Sequence, residues 1–178
     1  MKRQSDGFGG LVHHMAILDI IEYPDPRLRQ CSVAVKTFDH GVRQLAQDLL
    51  ETMYATSGIG LSAPQAGDFR RVLVMDLSDD HSCPKIFVNP EILQEDIPAL
   101  VEESCLSVPD VVGNVIRSTR LRVRASDTDG QVFEEDLENM HAVCLQHEMD
   151  HLEGILFVDH LSWFRRWKVK RAAMARAG

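Results

Sequence analysis

The chain has no apolar run long enough to cross a bilayer, and no basic segment followed by an apolar one at its start. A membrane-spanning or secreted protein is therefore not expected, and a cytoplasmic one is. Cysteine is scarce: Cys31, Cys83, Cys105 and Cys144 are dispersed through 178 residues. A chain of that length buries a core without staples, so free thiols or metal ligands are expected rather than a disulfide framework. No internal repeat, linker or low-complexity stretch argues for a second domain. The 44% apolar and 26% charged residues are those of an ordinary soluble domain. Acidic residues are missing altogether beyond Asp159. The stretch 161–178 carries six basic residues, leaving −14 on the rest of a chain whose formal charge is −8. Its cations, mixed with Trp163, Phe164, Trp167 and Met174 behind Ser162 as N-cap, predict a basic amphipathic helix.

The most informative stretch is Gln146-His147-Glu148-Met149-Asp150-His151-Leu152-Glu153-Gly154, which contains H-E-x-x-H. On a helix, positions i and i+4 share a face, so His147 and His151 can present two imidazoles to one metal ion with Glu148 beside it. Leu137, Met140, Val143 and Cys144 recur at helical spacing ahead of the histidines, and Gly154 closes the pattern as a C-cap. Two core histidines are the plainer alternative, but a glutamate between them argues against it. A catalytic site of this kind has three protein ligands and an open position. The metzincin pattern needs a histidine where Phe157 stands, and a thermolysin-like carboxylate is excluded by the absence of acidic residues after Asp159. The third ligand therefore comes from upstream, as Cys, His, Asp or Glu.

Taken in order, residues 1–14 have no clear period and are expected to be a flexible N-terminal extension or cloning remnant, with residues 15–178 forming one domain. Tyr23-Pro24-Asp25-Pro26 predicts a rigid loop. An amphipathic helix follows from about Asp39, with Val42, Leu45, Ala46, Leu49, Leu50 and Met53 on its core face. Gly58 to Gln65 is a small-residue loop without the Lys-Ser/Thr ending of a phosphate loop; it reads as a plain turn or as backbone closely approaching a ligand. Strands are expected at 71–77 and at 85–89, the second ended by Pro90, and Cys105 is expected in an irregular polar stretch. Residues 120–126 and 131–137 predict a hairpin turning at Thr128-Asp129-Gly130. The fold class is α+β, with short, mainly antiparallel strands around a central metal-binding helix, and a C-terminal helix over 161–178.

Three stretches in order, Gly58 to Gln65, Glu103 to Ser107 and Gln146 to Gly154, together resemble the peptide deformylases. That family's pattern is a G-x-G-L-x-A-x-Q loop, an E-G-C-L-S segment and a Q-H-E-x-D-H helix. The similarity extends through Tyr23 to Arg29 and covers nearly everything from Met15 onward. The resemblance implies a metal-dependent hydrolase that removes the formyl group from the N-terminal formyl-methionine of nascent polypeptides, releasing formate. It implies Cys105, His147 and His151 as ligands of one divalent ion, with Fe(II) first and Zn, Ni or Co as substitutes. A metal-activated water would attack the formyl carbon, with Glu148 as general base and then acid. Gln65 and the Leu106 backbone N–H would stabilise the developing oxyanion. Ile59, Gly60, Glu103, Val143 and Cys144 would bind substrate, with Val101 and Met140 also at methionine-pocket positions. Formyl-methionyl peptides are the expected partners, with the bacterial ribosome reached through the basic helix, and neither DNA nor a membrane. Ser104 departs from the family's usual Gly, and Val112 from an Arg of well-known bacterial members. Cys31 and Cys83 fit none of these motifs.

Overall fold

The segment Val72–Met75 is apolar at every position, and a strand with apolar side chains on both faces needs cover on both. In the computed structural model, which describes residues 16–177, a helix supplies each cover. Val72 and Val74 pack with helix α1 (His40–Ala55), whereas Leu73 and Met75 pack with helix α2 (Met140–Leu152). The strand, β2, lies in a five-stranded antiparallel sheet of order β1-β2-β3-β4-β5. Its partners are β1 (Gly60–Ser62), β3 (Lys85–Cys105), β4 (Val108–Ser126) and β5 (Val132–Glu138). The expected α+β class holds. The expected extension at residues 1–14 lies outside the described residues.

Helix α1 begins where its chemistry predicts: the Asp39 carboxylate accepts from the backbone N–H of Gly41 at 2.9 Å and of Val42 at 3.2 Å. Its predicted apolar stripe, Val42 to Met53, is buried. The hairpin between β4 and β5 also falls where expected. Asp127 Oδ1 accepts from the N–H groups of Asp129 and Gln131, and Gly130 takes φ +84°, a left-handed conformation.

Three expectations are corrected. Pro90 does not end a short strand at 89; β3 continues to Cys105, and the ladder tolerates the proline through a register shift between Val88 and Glu91. Asn89 adopts φ +53° there and exchanges two side-chain hydrogen bonds with the Val35 backbone. Cys105 is therefore not in an irregular stretch but is the last residue of a 21-residue strand. Finally, Leu137 belongs to β5, and the histidine helix begins at Met140.

Helix α2 ends by geometry that only glycine satisfies. Gly154 has φ +70°, its N–H bonds the His151 carbonyl, and a Cβ there would lie 2.5 Å from the Arg29 carbonyl oxygen. Helix α3 (Trp163–Ala177) matches the expected basic helix and touches the body sparingly. Ala173 is buried, and Arg176 reaches Asp110 and the Pro109 carbonyl, while Trp163 stays 77% exposed. Among the described residues no helix is long and apolar enough to cross a membrane.

Candidate active site

Two elements meet at the site. Helix α2 brings His147, Glu148 and His151 to one buried face, with the two imidazole centroids 5.0 Å apart. The β3–β4 turn brings Cys105, which pairs with Val108 across Leu106-Ser107. Candidate donor atoms of Cys105, His147 and His151 all lie within 4.8 Å of one another, and the Cys105 thiol is 3.2 Å from His151 Nε2. Donors 2.0–2.3 Å from a tetrahedral ion sit roughly 3.5 Å apart, so this thiol and two imidazoles fit a zinc- or iron-sized divalent ion. Two buried atoms here, Glu148 Oε2 and His151 Nδ1, have no hydrogen-bond partner among the described residues. Buried polar atoms are normally satisfied, which marks the place as one completed by something other than protein.

The electrostatics are organised around Glu103. Its carboxylate accepts from Arg117 Nε at 2.7 Å and from His147 Nδ1 at 2.8 Å. Burial opposes its ionisation, but these two donors outweigh burial and hold its pKa down at about 2. Burial likewise disfavours charge on His147, yet the Cys105 thiol and Glu103 push its pKa well above the usual histidine range. A metal ion at His147 would have to displace that proton. His151 is shifted the other way, by burial and then by the neighbouring His147. Burial drives Glu148 up to about 7, with His147 pulling against it.

Gln65 is buried with its amide fixed in one orientation. Its Oε1 accepts from the Ser62 N–H and hydroxyl, which turns Nε2 toward Cys105 Sγ at 3.7 Å and Ser107 Oγ at 3.2 Å. A cavity of about 480 Å³ opens beside these groups, lined by Ile59, Gly60, Gln65, Glu103, Leu106, Met140, Val143, Cys144, His147 and Glu148. Ser104 lines it as well. Val101 is not among the lining residues and instead pairs with Val115 in the sheet; Val112, on the same hairpin, is half exposed. The Glu103 carboxylate is taken up by His147 and Arg117, which suits a positioning role better than the substrate contact expected of it. Cys31 and Cys83 are exposed free thiols outside the three-donor cluster.

Gly60 leaves no room for a side chain in the cavity wall. A Cβ there would lie 2.7 Å from both Cys144 Sγ and Glu148 Oε1. Gly60→Ala must displace both, at an overpacking cost of about 1–3 kcal/mol. We expect a folded protein with normal metal content and a tenfold or greater loss of kcat/KM, measured by formate release. Unchanged turnover would show that Glu148 tolerates the shift.

Sequence reasoning missed Arg117 and the two serines that orient Gln65. Arg117 shares strand parity with the buried Gly113 and Val115, and a charged residue at an inward position is a signal for a buried partner.

A strand-end thiol facing an H-E-x-x-H helix beside a half-open, largely apolar cavity is the arrangement of a metal-dependent hydrolase. Residues 17–167 match the family model described as polypeptide deformylase, and the chain belongs to that family. A peptide deformylase of Azotobacter vinelandii is 50% identical over 159 residues, covering 88% of this chain and 94% of that one. One of Pseudomonas aeruginosa is similar to the same extent. The crystal structure of a peptide deformylase from Legionella pneumophila superposes with a TM-score of 0.86 at 41% identity, covering 91% of this chain and 96% of that one. The Ehrlichia chaffeensis peptide deformylase in complex with actinonin gives 0.87 at 34% identity, covering 91% and 98%. The protein is thus a metal-dependent hydrolase that removes the formyl group from N-terminal formyl-methionine.

Proposed function

We propose that Cys105, His147 and His151 hold one divalent ion and that Glu148 is the base for hydrolysis of the formyl amide. The observation that carries this reading is the convergence of three buried donors within 4.8 Å beside a buried, unpartnered carboxylate oxygen. Bound there, such an ion supplies Lewis acidity, lowering the pKa of a water and polarising the formyl carbonyl. Glu148 accepts the proton of the attacking water and returns it to the leaving amine, a role suited to a carboxyl held near neutrality by burial. The Gln65 Nε2–H group, fixed by Ser62, donates to the oxyanion that forms as the formyl carbon becomes tetrahedral, together with the Leu106 N–H. Ile59, Met140, Val143 and Cys144 take the methionine side chain, and the Gly60 backbone receives the extended peptide.

Iron(II) is the ion we propose, since a thiolate and two imidazoles suit it, with zinc, nickel and cobalt satisfying the same donors. The test is formate release from formyl-Met-Ala-Ser by protein prepared anaerobically with iron(II), set against cleavage of an internal peptide bond. Formate release that survives complete removal of the ion would sink the ligand assignment.

We place the enzyme in the bacterial cytoplasm, where formyl-methionyl chains are made, and assign helix α3 a part in reaching them. Its cations face solvent beside Trp163 and Trp167, and a ribosome presents RNA phosphate at the site where nascent chains emerge. Deleting residues from Arg165 onward is expected to weaken ribosome co-sedimentation in a salt-dependent way while sparing turnover of a short formyl peptide. Equal, salt-insensitive binding of the truncated protein would refute this part.

A further inference from the structure

Arg117 is the one Lys or Arg side chain buried among the described residues. It lies on β4, facing inward between β3 and α2, the two elements that carry the three donors. Its Nε donates to Glu103 Oε1 at 2.7 Å, and its Nη2 reaches Glu103 Oε2 at 3.3 Å and Asp150 Oδ2 at 2.8 Å. Glu103 Oε2 in turn accepts from His147 Nδ1 at 2.8 Å. Asp150, on the same helix as His147, also accepts from His160 Nε2 at 2.7 Å. A chain of side-chain contacts thus runs inward from His160 through Asp150, Arg117 and Glu103 to His147, with the guanidinium between two carboxylates at its centre. A buried charge without its partner is costly, so each member of the chain holds the next in place.

We infer that Arg117 is a positioning residue for the metal centre: its two-point grip on Glu103 fixes His147 with Nδ1 on the carboxylate, leaving Nε2 as the ligand atom. The inference rests on reading Cys105, His147 and His151 as the ligand set. Without the guanidinium, Glu103 can rotate off His147, and the imidazole loses both its orientation and the hydrogen bond that makes it a better donor. Asp150 holds the far side of the fork, so the clamp also ties β4 to the helix turn that carries His147 and His151.

Cobalt(II) titration in competition with a chelator reads this without turnover, because a thiolate-bound cobalt ion has its own absorption band. Arg117→Met is expected to bind cobalt(II) about 10- to 100-fold more weakly than the parent. Arg117→Lys, which keeps the charge but not the fork, is expected to fall in between. Glu103→Gln should reproduce the Arg117→Met loss, and the double variant should fall no further than either single one, since both act through the same hydrogen bond. If the single Met variant does not fold, the double variant, which leaves neither charge alone, and Arg117→Lys carry the comparison. Cobalt(II) affinity within threefold of the parent in folded Arg117 variants, or additive losses in the double variant, would overturn the inference. Cys105→Ala, titrated alongside, separates the two failures. If it keeps full affinity, the ligand reading is wrong; if it alone loses affinity, only the role of Arg117 is.

Discussion

Cys105→Ala, prepared anaerobically and loaded with iron(II), is expected to lose stoichiometric metal while keeping its fold. Zinc sites with four ligands contribute about 10–16 kcal/mol of apparent binding free energy, so one ligand accounts for about 2.5–4 kcal/mol, on the order of 10²–10³-fold in Kd. The thiol is the softest donor of the three and the one that selects for a transition metal. The fold does not depend on it. Cys105 is one member of a cluster with Ile21, Leu28, Val108, Val115, Leu156, Phe157, Val158 and Leu161, and alanine removes a single sulfur from that group. The hairpin that carries Cys105 is held by the β3–β4 ladder and by Glu103 on Arg117. Metal analysis beside circular dichroism checks both halves: full metal occupancy in the alanine variant would refute the ligand assignment.

The same residue shows why part of the fold was hidden in the sequence. Helices α1 and α2 could be read directly, because their apolar stripes recur at helical spacing and no other constraint competes with the pattern. The end of β3 could not. In Val101-Glu102-Glu103-Ser104-Cys105 the inward positions are Glu103 and Cys105, polar or reactive groups where a strand usually carries apolar ones. The alternation is intact in space, with Glu102 and Ser104 exposed, but the chemistry of the site erases it from the hydrophobic pattern. Arg117 was hidden for a related reason. Along β4 it reads like Arg120, Arg122 and Arg124, which lie on the outer face in ion pairs with Glu134, Asp136 and Glu138. Its strand parity, shared with Leu121 and Val123 rather than with those arginines, sets it on the other face, and the register that places Glu103 against Gly113 supplies its partner. The metal ligands and the base were legible as a motif, whereas the groups that hold them needed the pairing of two distant strands.

Glu148→Gln is expected to keep metal and lose turnover, with kcat falling roughly 10²- to 10⁴-fold, the usual contribution of a positioned general base. Glutamine has nearly the same volume, so the contact with Gly60 and the rest of the cavity wall persists, and the change isolates proton transfer. A second consequence follows in the metal-free protein. Burial raises the Glu148 carboxyl from 4.5 to about 7, so between those pH values the native state binds more protons than the unfolded one. Stability therefore falls as pH rises through this window, and above pH 7 the full cost of ionising a buried carboxyl is present. Glutamine carries no such cost. Metal-free Glu148→Gln should match the parent near pH 4 and exceed it at pH 8 by on the order of 3 kcal/mol. In a chain of this size that is roughly 6–12 °C in Tm. An ion at Cys105, His147 and His151 reverses the logic, since a divalent cation nearby favours the carboxylate and brings its pKa down. The stability gap at pH 8 should then narrow on loading both proteins with metal, while the gap in kcat stays. A variant that turns over at the parental rate would remove Glu148 from the mechanism; a gap in Tm that metal leaves untouched would mean that the ion does not sit beside it.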